Sequence, residues 1–169
     1  MVWASRGDII PPAPHDRHSA KMNVCAAVWE NRRSQIYIFN ENLASPLYTS
    51  ILQNVIIKKG KKIPGGNWKL LIDGDPKHTS KLTTAFLDAN RISVIRPPAK
   101  SPDLNIIENV WSMLIQEMQQ LGPQTANTLE KSIKKAWSKI SQISIQNCVL
   151  SMPTRLNLVM KSKGAAIKY

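Results

Sequence analysis

The chain is poor in acidic residues, in aromatic residues and in cysteine. Its 169 residues include 11 Asp and Glu against 23 Lys and Arg, which leaves a net charge of +12 with neutral histidines. A positive excess of this size is typical of proteins that bind polyanions, of which nucleic acid is the first to consider. No apolar run approaches the roughly 18 to 20 residues that a membrane span needs, and no charged-then-apolar leader opens the sequence. We therefore expect a soluble, non-secreted protein.

The two cysteines exclude a disulfide framework and a zinc module. Cys25 and Cys148 lie far apart, and neither is part of the closely spaced Cys and His pairs of a zinc site. We interpret both as ordinary buried thiols. Hydrophobic residues make up 43% of the chain, which is enough to build the single core of one domain.

The first half of the sequence predicts an irregular start followed by a hairpin and a helix. Residues 1–21 carry three prolines within four positions, so we expect an irregular loop there. Residues 22–29 are apolar and residues 34–39 alternate, which predicts two adjacent antiparallel strands. A helix of about three turns should begin near Ser45-Pro46, because the apolar positions that follow share one helix face.

The second half predicts parallel strands and then helices. Short apolar strands at 68–72 and 92–95 flank a helix capped by Thr79 or Ser80, the pattern of a strand–helix–strand unit with parallel strands. A broad apolar stripe over residues 106–121 predicts the clearest helix. Residues 124–169 carry eight Lys and Arg against the single Glu130 and should form a basic helical segment.

Two carboxylates stand at places where a fold can bring them together. Asp73 follows a short apolar strand, and Glu108 lies in the first turn of an amphipathic helix. Paired carboxylates repel each other unless a divalent cation lies between them, and hard oxygen ligands suit Mg²⁺ or Mn²⁺, the ions of phosphoryl transfer. Taken singly, each has a plainer interpretation, because Asp73 also fits a turn and Glu108 fits the third position of a capping box on Asn105.

The sequences around these two carboxylates, taken together with their separation, resemble one family. The segment LIDGDPKHTS at Leu71–Ser80 and the segment PPAKSPDLNIIENVW at Pro97–Trp111 resemble the second and third carboxylate motifs of the Tc/mariner superfamily of DNA transposases. The 34 residues between Asp73 and Glu108 match the Tc branch, whereas starting from Asp75 leaves 32. LSMPTRL at Leu150–Leu156 and GAAIKY at Gly164–Tyr169 resemble its closing segment.

The resemblance implies an α/β fold of the ribonuclease-H-like kind, with a mixed sheet and helices on both faces. It implies that Asp73 and Glu108 are two of three catalytic ligands for Mg²⁺ or Mn²⁺, that the substrate is DNA at transposon ends and target sites, and that the protein acts in the nucleus, with a homodimer as an option. The family's first aspartate lies upstream of the pair that is Val2-Trp3 here. We therefore expect a single truncated catalytic domain whose first strand is missing or incomplete, and we assign neither Asp8 nor Asp16 to that role.

Basic residues supply the candidate contacts to DNA. His78 matches a histidine of the family motif and is either a general base or a residue with a local hydrogen bond. A single surface cation is more often simply solvated than bound to phosphate. The whole set of basic residues is therefore stronger evidence for DNA contact than any one of them. The candidate contacts are Lys77, His78, Arg96, Lys100, Lys131, Lys134, Lys135 and Lys139.

Two other functions remain open. With only two of three carboxylates, catalysis is expected to be low or absent, so the first alternative is a non-catalytic nucleic-acid-binding protein. The second is a nuclease of the same fold, which cuts strands without joining them.

Overall fold

The computed structural model of the chain describes residues 2–9, 21–60, 68–99, 101–122 and 124–167, and for residues 2–9 it describes the backbone. Within these ranges there are five strands and eight helices. The strands are β1 Val2–Ile9, β2 Met22–Val28, β3 Tyr37–Phe39, β4 Leu70–Ile72 and β5 Val94–Ile95. The helices are α1 Ser45–Ile51, α2 Lys58–Gly60, α3 Pro76–Thr79, α4 Lys81–Ala89, α5 Ile107–Gln120, α6 Ala126–Lys139, α7 Gln142–Leu150 and α8 Met152–Lys161.

Two short segments complete these elements. A π-helical turn at Leu52–Ile57 joins α1 to α2, so the first helix runs from 45 to 60 and is longer than the three turns predicted. A 3-10 turn at Pro102–Leu104 precedes α5. Ser80 caps α4 by accepting a hydrogen bond from the amide of Thr83, which decides between the two cap residues considered from the sequence.

The five strands form one mixed sheet in the order β3-β2-β1-β4-β5. β2 pairs antiparallel with both β1 and β3, whereas β4 pairs parallel with β1 and β5. The predicted antiparallel hairpin and the predicted parallel strand–helix–strand unit are therefore both present, with α3 and α4 in the crossover between β4 and β5. All carboxyl ends of the parallel strands lie at one edge of the sheet, which is where α/β proteins place their sites.

The loop predicted over residues 1–21 is wrong for residues 2–9, which form β1. This strand pairs with β2 from Trp3–Val28 to Ile9–Met22 and takes the central place in the described sheet. The predicted absence of the family's first strand concerns a segment upstream of Val2-Trp3 and stays a prediction. Gly7 and Asp8 have low strand propensity, but their pairing with Val24 and Asn23 of β2 outweighs local preference. Asp16 and the prolines of this region lie outside the described residues.

Alternating side chains of the sheet build a hydrophobic core on each face. Val24, Ala26 and Val28 of β2 face one core, which is completed by α5 and α6. Cys25 and Ala27 face the other core, which is completed by α1, the π-helical turn and α4. Helices thus cover both faces, as the sequence predicts.

The helices α6, α7 and α8 occupy most of the predicted basic segment at residues 124–169. Trp137 fixes α6 to the hairpin, because its Nε1 donates a hydrogen bond of 3.0 Å to the carbonyl oxygen of Ser34. Arg33 adds hydrogen bonds to the carbonyl oxygens of Ser138 and Ile140 at the end of the same helix. Among the described helices, none combines the length and the apolar character that crossing a membrane demands.

Candidate active site

Asp73 is the first residue after β4, at the carboxyl edge of the sheet. The three residues of β4 are buried, which anchors the backbone just before the carboxylate. Asp73 Oδ1 accepts a hydrogen bond from the amide of Asp75 at 3.1 Å and lies 2.5 Å from Nδ1 of His78. Its side chain remains 41% exposed, so the carboxylate keeps a face toward solvent.

The surroundings of Asp73 keep it ionised. Burial by itself raises the pKa of this carboxyl, but the hydrogen bond and charge of His78, together with the amide of Asp75, outweigh burial and bring the pKa below its ordinary value. An ionised carboxylate only accepts hydrogen bonds, so Nδ1 of His78 carries the proton and donates it.

His78 is a supporting residue in this geometry. It lies in α3, is 1% exposed, and packs on the ring of Tyr48 with a centroid separation of 4.2 Å. Of the two interpretations given from the sequence, the geometry favours the local hydrogen bond, because a buried imidazole bonded to Asp73 has no access to a substrate.

Asp75 has a different task from Asp73, although both line the same cleft. Its side chain caps α3 by accepting a hydrogen bond of 2.9 Å from the amide of Lys77, and Lys77 Nζ lies 3.0 Å from its other oxygen. These contacts outweigh burial and lower the pKa of Asp75. Because the Asp75 side chain is used as a helix cap, Asp73 is the better candidate for a metal ligand. The Lys77 ammonium points to the carboxylate of Asp75.

Glu108 lies in the first turn of α5, as predicted, but its alternative interpretation as part of a capping box on Asn105 is wrong. The N-cap residue is Ile106, and the helix has no side-chain cap. The Asn105 contact to Glu108 is made by the backbone, since the Asn105 carbonyl accepts a hydrogen bond of 3.1 Å from the amide of Glu108. A capping box therefore does not explain why a glutamate stands at position 108.

Asp73 and Glu108 line one cleft with a volume of about 360 Å³. The turn after Asp73, the prolines Pro97 and Pro98, and Asn105 complete its walls. The structure thus brings together two carboxylates separated by 34 residues, which is what their positions in the sequence predict. Among the described residues, no group of three or more His, Cys, Asp or Glu side chains is placed to hold a metal ion.

The register of β1 shows what stands beside Asp73 in the sheet. Ala4 pairs with Ile72, so the next residue, Ser5, is the one that comes level with Asp73. Asp8 lies three residues further, roughly 10 Å along the strand at 3.3 Å per residue. This register is consistent with leaving Asp8 out of the site. The reason differs from the one given from the sequence, because Asp8 lies on a strand and not in a loop.

The predicted DNA contacts lie in several places. Arg96 is exposed after β5 and lines a neighbouring cavity with Arg91 rather than the carboxylate cleft. Lys134 and Lys139 contact Glu130 and Glu117 at 2.5 and 3.8 Å. Lys100 lies outside the described residues. The four exposed lysines of α6 are Lys131, Lys134, Lys135 and Lys139.

Arg155 is a residue that sequence reasoning did not single out, although it lies in the LSMPTRL segment. It is 2% exposed, and its Nη1 donates hydrogen bonds of 2.9 Å to the carbonyl of Asp103 and to Oδ1 of Asn109. Asp103 belongs to the turn before α5, and Asn109 follows Glu108. Arg155 therefore ties α8 to the segment that carries Glu108.

The family described as DDE superfamily endonuclease matches residues 1–130. The transposable element Tcb1 transposase of Caenorhabditis briggsae is 32% identical over 123 residues, which are 73% of this chain and 45% of the relative. The chain thus spans about half the length of the curated relatives it matches.

Solved structures establish the fold. The Mos1 transposase catalytic domain with Raltegravir and Mg has a TM-score of 0.81 at 16% identity, covering 99% of this chain and 85% of that one. The Mos1 transposase paired-end complex with left transposon end has a TM-score of 0.81 at 15% identity, covering 99% of this chain and 56% of that one. The predicted α/β fold of the ribonuclease-H-like kind is confirmed.

Proposed function

The chain belongs to the family described as DDE superfamily endonuclease, and on that premise we propose that it is a Tc/mariner-type transposase catalytic domain acting on DNA strands. The observation that supports this function is the shared cleft of Asp73 and Glu108, which lies at the carboxyl edge of the parallel strands. The proposed substrates are transposon ends and target DNA, the proposed location is the nucleus, and a homodimer is the proposed assembly.

The donor set of the cleft fits a divalent cation. Asp73 is ionised, Asp73 and Glu108 offer only oxygen, and the cleft is wide enough for water, all of which suits Mg²⁺ or Mn²⁺. A cation bound by these two carboxylates would supply activation of water and of the 3′-hydroxyl for in-line attack at phosphorus. His78 holds Asp73 in orientation from the buried side, and exposed cations such as Arg96 bind DNA phosphate.

The site is expected to be weak. A third carboxylate is absent from the level of Asp73 on β1, where Ser5 stands. Metal affinity grows with ligand charge, so two carboxylates should bind more weakly than three. We therefore expect low or absent strand cleavage by this chain alone.

Binding of Mn²⁺, followed by calorimetry, tests the site without relying on turnover. We expect measurable binding that falls at least about tenfold in Asp73→Asn and in Glu108→Gln, because each change removes a charged ligand. Asp88→Asn is the matched control, since Asp88 is exposed on α4. Unchanged Mn²⁺ affinity in both site variants would contradict the proposal.

Incubation with Mn²⁺ and element-end DNA tests the reaction. Strand joining marks a transposase, whereas cutting without joining marks a nuclease. Robust cleavage by this chain would show that another residue replaces the third carboxylate.

Because Ser5, and not a carboxylate, is level with Asp73, a second function is favoured as well. This second function is non-catalytic DNA binding by the basic surface. In that case Asp73→Asn combined with Glu108→Gln should leave DNA affinity unchanged or slightly higher, because two negative charges leave the surface. A marked loss of DNA affinity in this double variant, with the fold intact, would argue against it.

A further inference from the structure

Asn105 carries a buried polar atom that the fold does not use. The residue is 3% exposed, and its Oδ1 has no hydrogen-bond partner among the described residues. Leaving an amide oxygen buried without a donor is costly, and most buried polar groups have a partner. The Asn105 Oδ1 is therefore an acceptor for which the described residues provide no donor.

The backbone around Asn105 explains why its side chain is available. Its amide donates a hydrogen bond of 3.0 Å to the carbonyl of Pro102, closing the 3-10 turn, and its carbonyl accepts one from the amide of Glu108. Because Ile106 takes the N-cap position, the Asn105 side chain does not cap α5. Both backbone groups are satisfied, so the position of the residue is fixed three residues before Glu108.

Asn105 lines the same cleft as Asp73 and Glu108. A carboxamide oxygen is a neutral hard donor of the kind that Mg²⁺ and Mn²⁺ accept, directly or through a water molecule of their hydration shell. The two carboxylates concentrate negative charge at this cleft, so a cation is the ligand that would attract a carboxamide oxygen toward it.

We propose that Asn105 is a third oxygen ligand of the divalent-cation site, contributing Oδ1 beside the carboxylates of Asp73 and Glu108. This inference rests on the proposed function, because it takes the cation site as given and adds a residue to it. Asn105 supplies an oxygen without a charge, so the three donors together carry two negative charges, which balance one divalent cation.

The test is a calorimetric titration of the full chain with Mn²⁺, in parallel with urea unfolding without metal. Asn105→Ala should weaken Mn²⁺ binding by about tenfold. Asn105→Asp, which has nearly the same shape, should strengthen it by about tenfold or more, because metal affinity grows with the charge of the ligand set. The matched control is Asn23→Ala, since Asn23 is also buried and lies in β2 away from the cleft lining.

The two failures are distinguishable. If the wild type binds Mn²⁺ and Asp73→Asn abolishes binding, but Asn105→Ala binds as the wild type does, the role of Asn105 is overturned and the carboxylate site stands. If the wild type does not bind, or if Asp73→Asn and Glu108→Gln leave binding unchanged, the cation site itself is overturned, and the role of Asn105 with it. Should Asn105→Ala not fold, Asn105→Asp decides, and a lack of tighter binding overturns the inference.

Discussion

His78 acts on the candidate site through Asp73. Its buried Nδ1 donates to the carboxylate, and its ring is held by Tyr48. We expect His78→Ala to weaken Mn²⁺ binding by about ten- to a hundredfold, the range typical of residues that orient metal ligands. His78→Asn should restore much of the affinity, because its Nδ2 can donate from a similar position. Calorimetry with both variants checks this, and equal affinity in His78→Ala and the wild type would contradict it.

Cys25 makes stability depend on pH in alkaline solution. Burial, with a smaller effect of Asp73, raises the pKa of its thiol from 9.0 to about 12. Between those values the unfolded chain releases a proton that the folded chain retains, so the free energy of unfolding falls as pH rises above 9, by at most about 1.4 kcal/mol per pH unit. Urea unfolding from pH 8 to 11 measures this slope.

Cys25→Ala is the comparison for that slope. The variant should lose the part of the pH dependence that one thiol contributes and keep the part due to Tyr48, whose pKa burial also raises. The same slope in the variant and the wild type would show that Cys25 does not carry the effect.

At the scale of single residues, the sequence predicted that Asp73 and Glu108 come together and named His78 with a local hydrogen bond as one interpretation, but it did not single out Asn105 or Arg155. Asp73 and Glu108 stand at element boundaries inside specific motifs. The local sequence around each residue and the spacing between them were therefore enough to select both as candidates. Asn105 fits a capping box equally well in the sequence, and only the three-dimensional structure shows that its Oδ1 has no partner among the described residues. Arg155, which donates hydrogen bonds to Asp103 and Asn109, lies on α8 far along the chain. No local sequence pattern reveals such a contact.

Among the elements, α8 fixes the segment that leads into α5 through Arg155. We expect Arg155→Met to lower the free energy of unfolding by about 2 to 4 kcal/mol, because it leaves the Asp103 carbonyl and Asn109 Oδ1 without this donor. Urea unfolding measures the loss. Arg96→Met is the matched control, since Arg96 is exposed and should cost less than about 0.5 kcal/mol. Similar losses in both variants would contradict the role given to Arg155.

The end of α2 packs against the residue that leads into β4. A Cβ atom added to Gly60 would lie 2.4 Å from Cζ2 of Trp68, whereas one added to Gly74 meets nothing within 4 Å. Gly60→Ala should therefore lower the free energy of unfolding by about 1 to 3 kcal/mol, and Gly74→Ala should change it by less than about 0.5 kcal/mol. Thermal unfolding of both variants checks the contrast, and a neutral Gly60→Ala would show that Trp68 moves aside freely.

The strand β1 is an element that the sequence did not predict. Strand pairing is decided by partners distant in sequence, and β1 pairs with β2 over residues 3–9 and with β4 over residues 2–4. The helices α5 and α6 were predicted more closely, because the spacing of apolar residues within each segment shows its apolar stripe. Local periodicity therefore sufficed for amphipathic helices and failed for a central strand.

For the whole molecule, the two cores support the two halves of the site, and the exposed lysines lie over one of these cores. The core under α1 and α4 supports His78 and Asp73, whereas the core under α5 and α6 supports Glu108 and the exposed lysines. The four lysines of α6 are exposed, so they are available for phosphate contact and none of them is needed for packing. This arrangement lets DNA affinity be changed without disturbing either core.

DNA binding should be dominated by phosphate contacts and should depend steeply on salt. Each contact contributes a slope of about −0.9 in log affinity against log salt, so about four to six contacts reduce affinity by roughly two to three orders of magnitude between 50 and 200 mM. We expect little preference between unrelated duplexes, because phosphate contacts carry no sequence information. Fluorescence anisotropy across a salt series measures both properties, and a flat response or strong discrimination would contradict this account.

The lysines of α6 offer an internal control for that measurement. Lys134 and Lys139 have Glu130 and Glu117 nearby, whereas Lys131 and Lys135 form no ion pair with a carboxylate of the described residues. Lys131→Gln with Lys135→Gln should therefore reduce the magnitude of the salt slope by up to about 2. Lys134→Gln with Lys139→Gln removes the same charge but should reduce it less, because the carboxylates already offset these two cations. Equal reductions would show that the acidic neighbours do not matter, and no reduction in either variant would place the DNA on another face of the molecule.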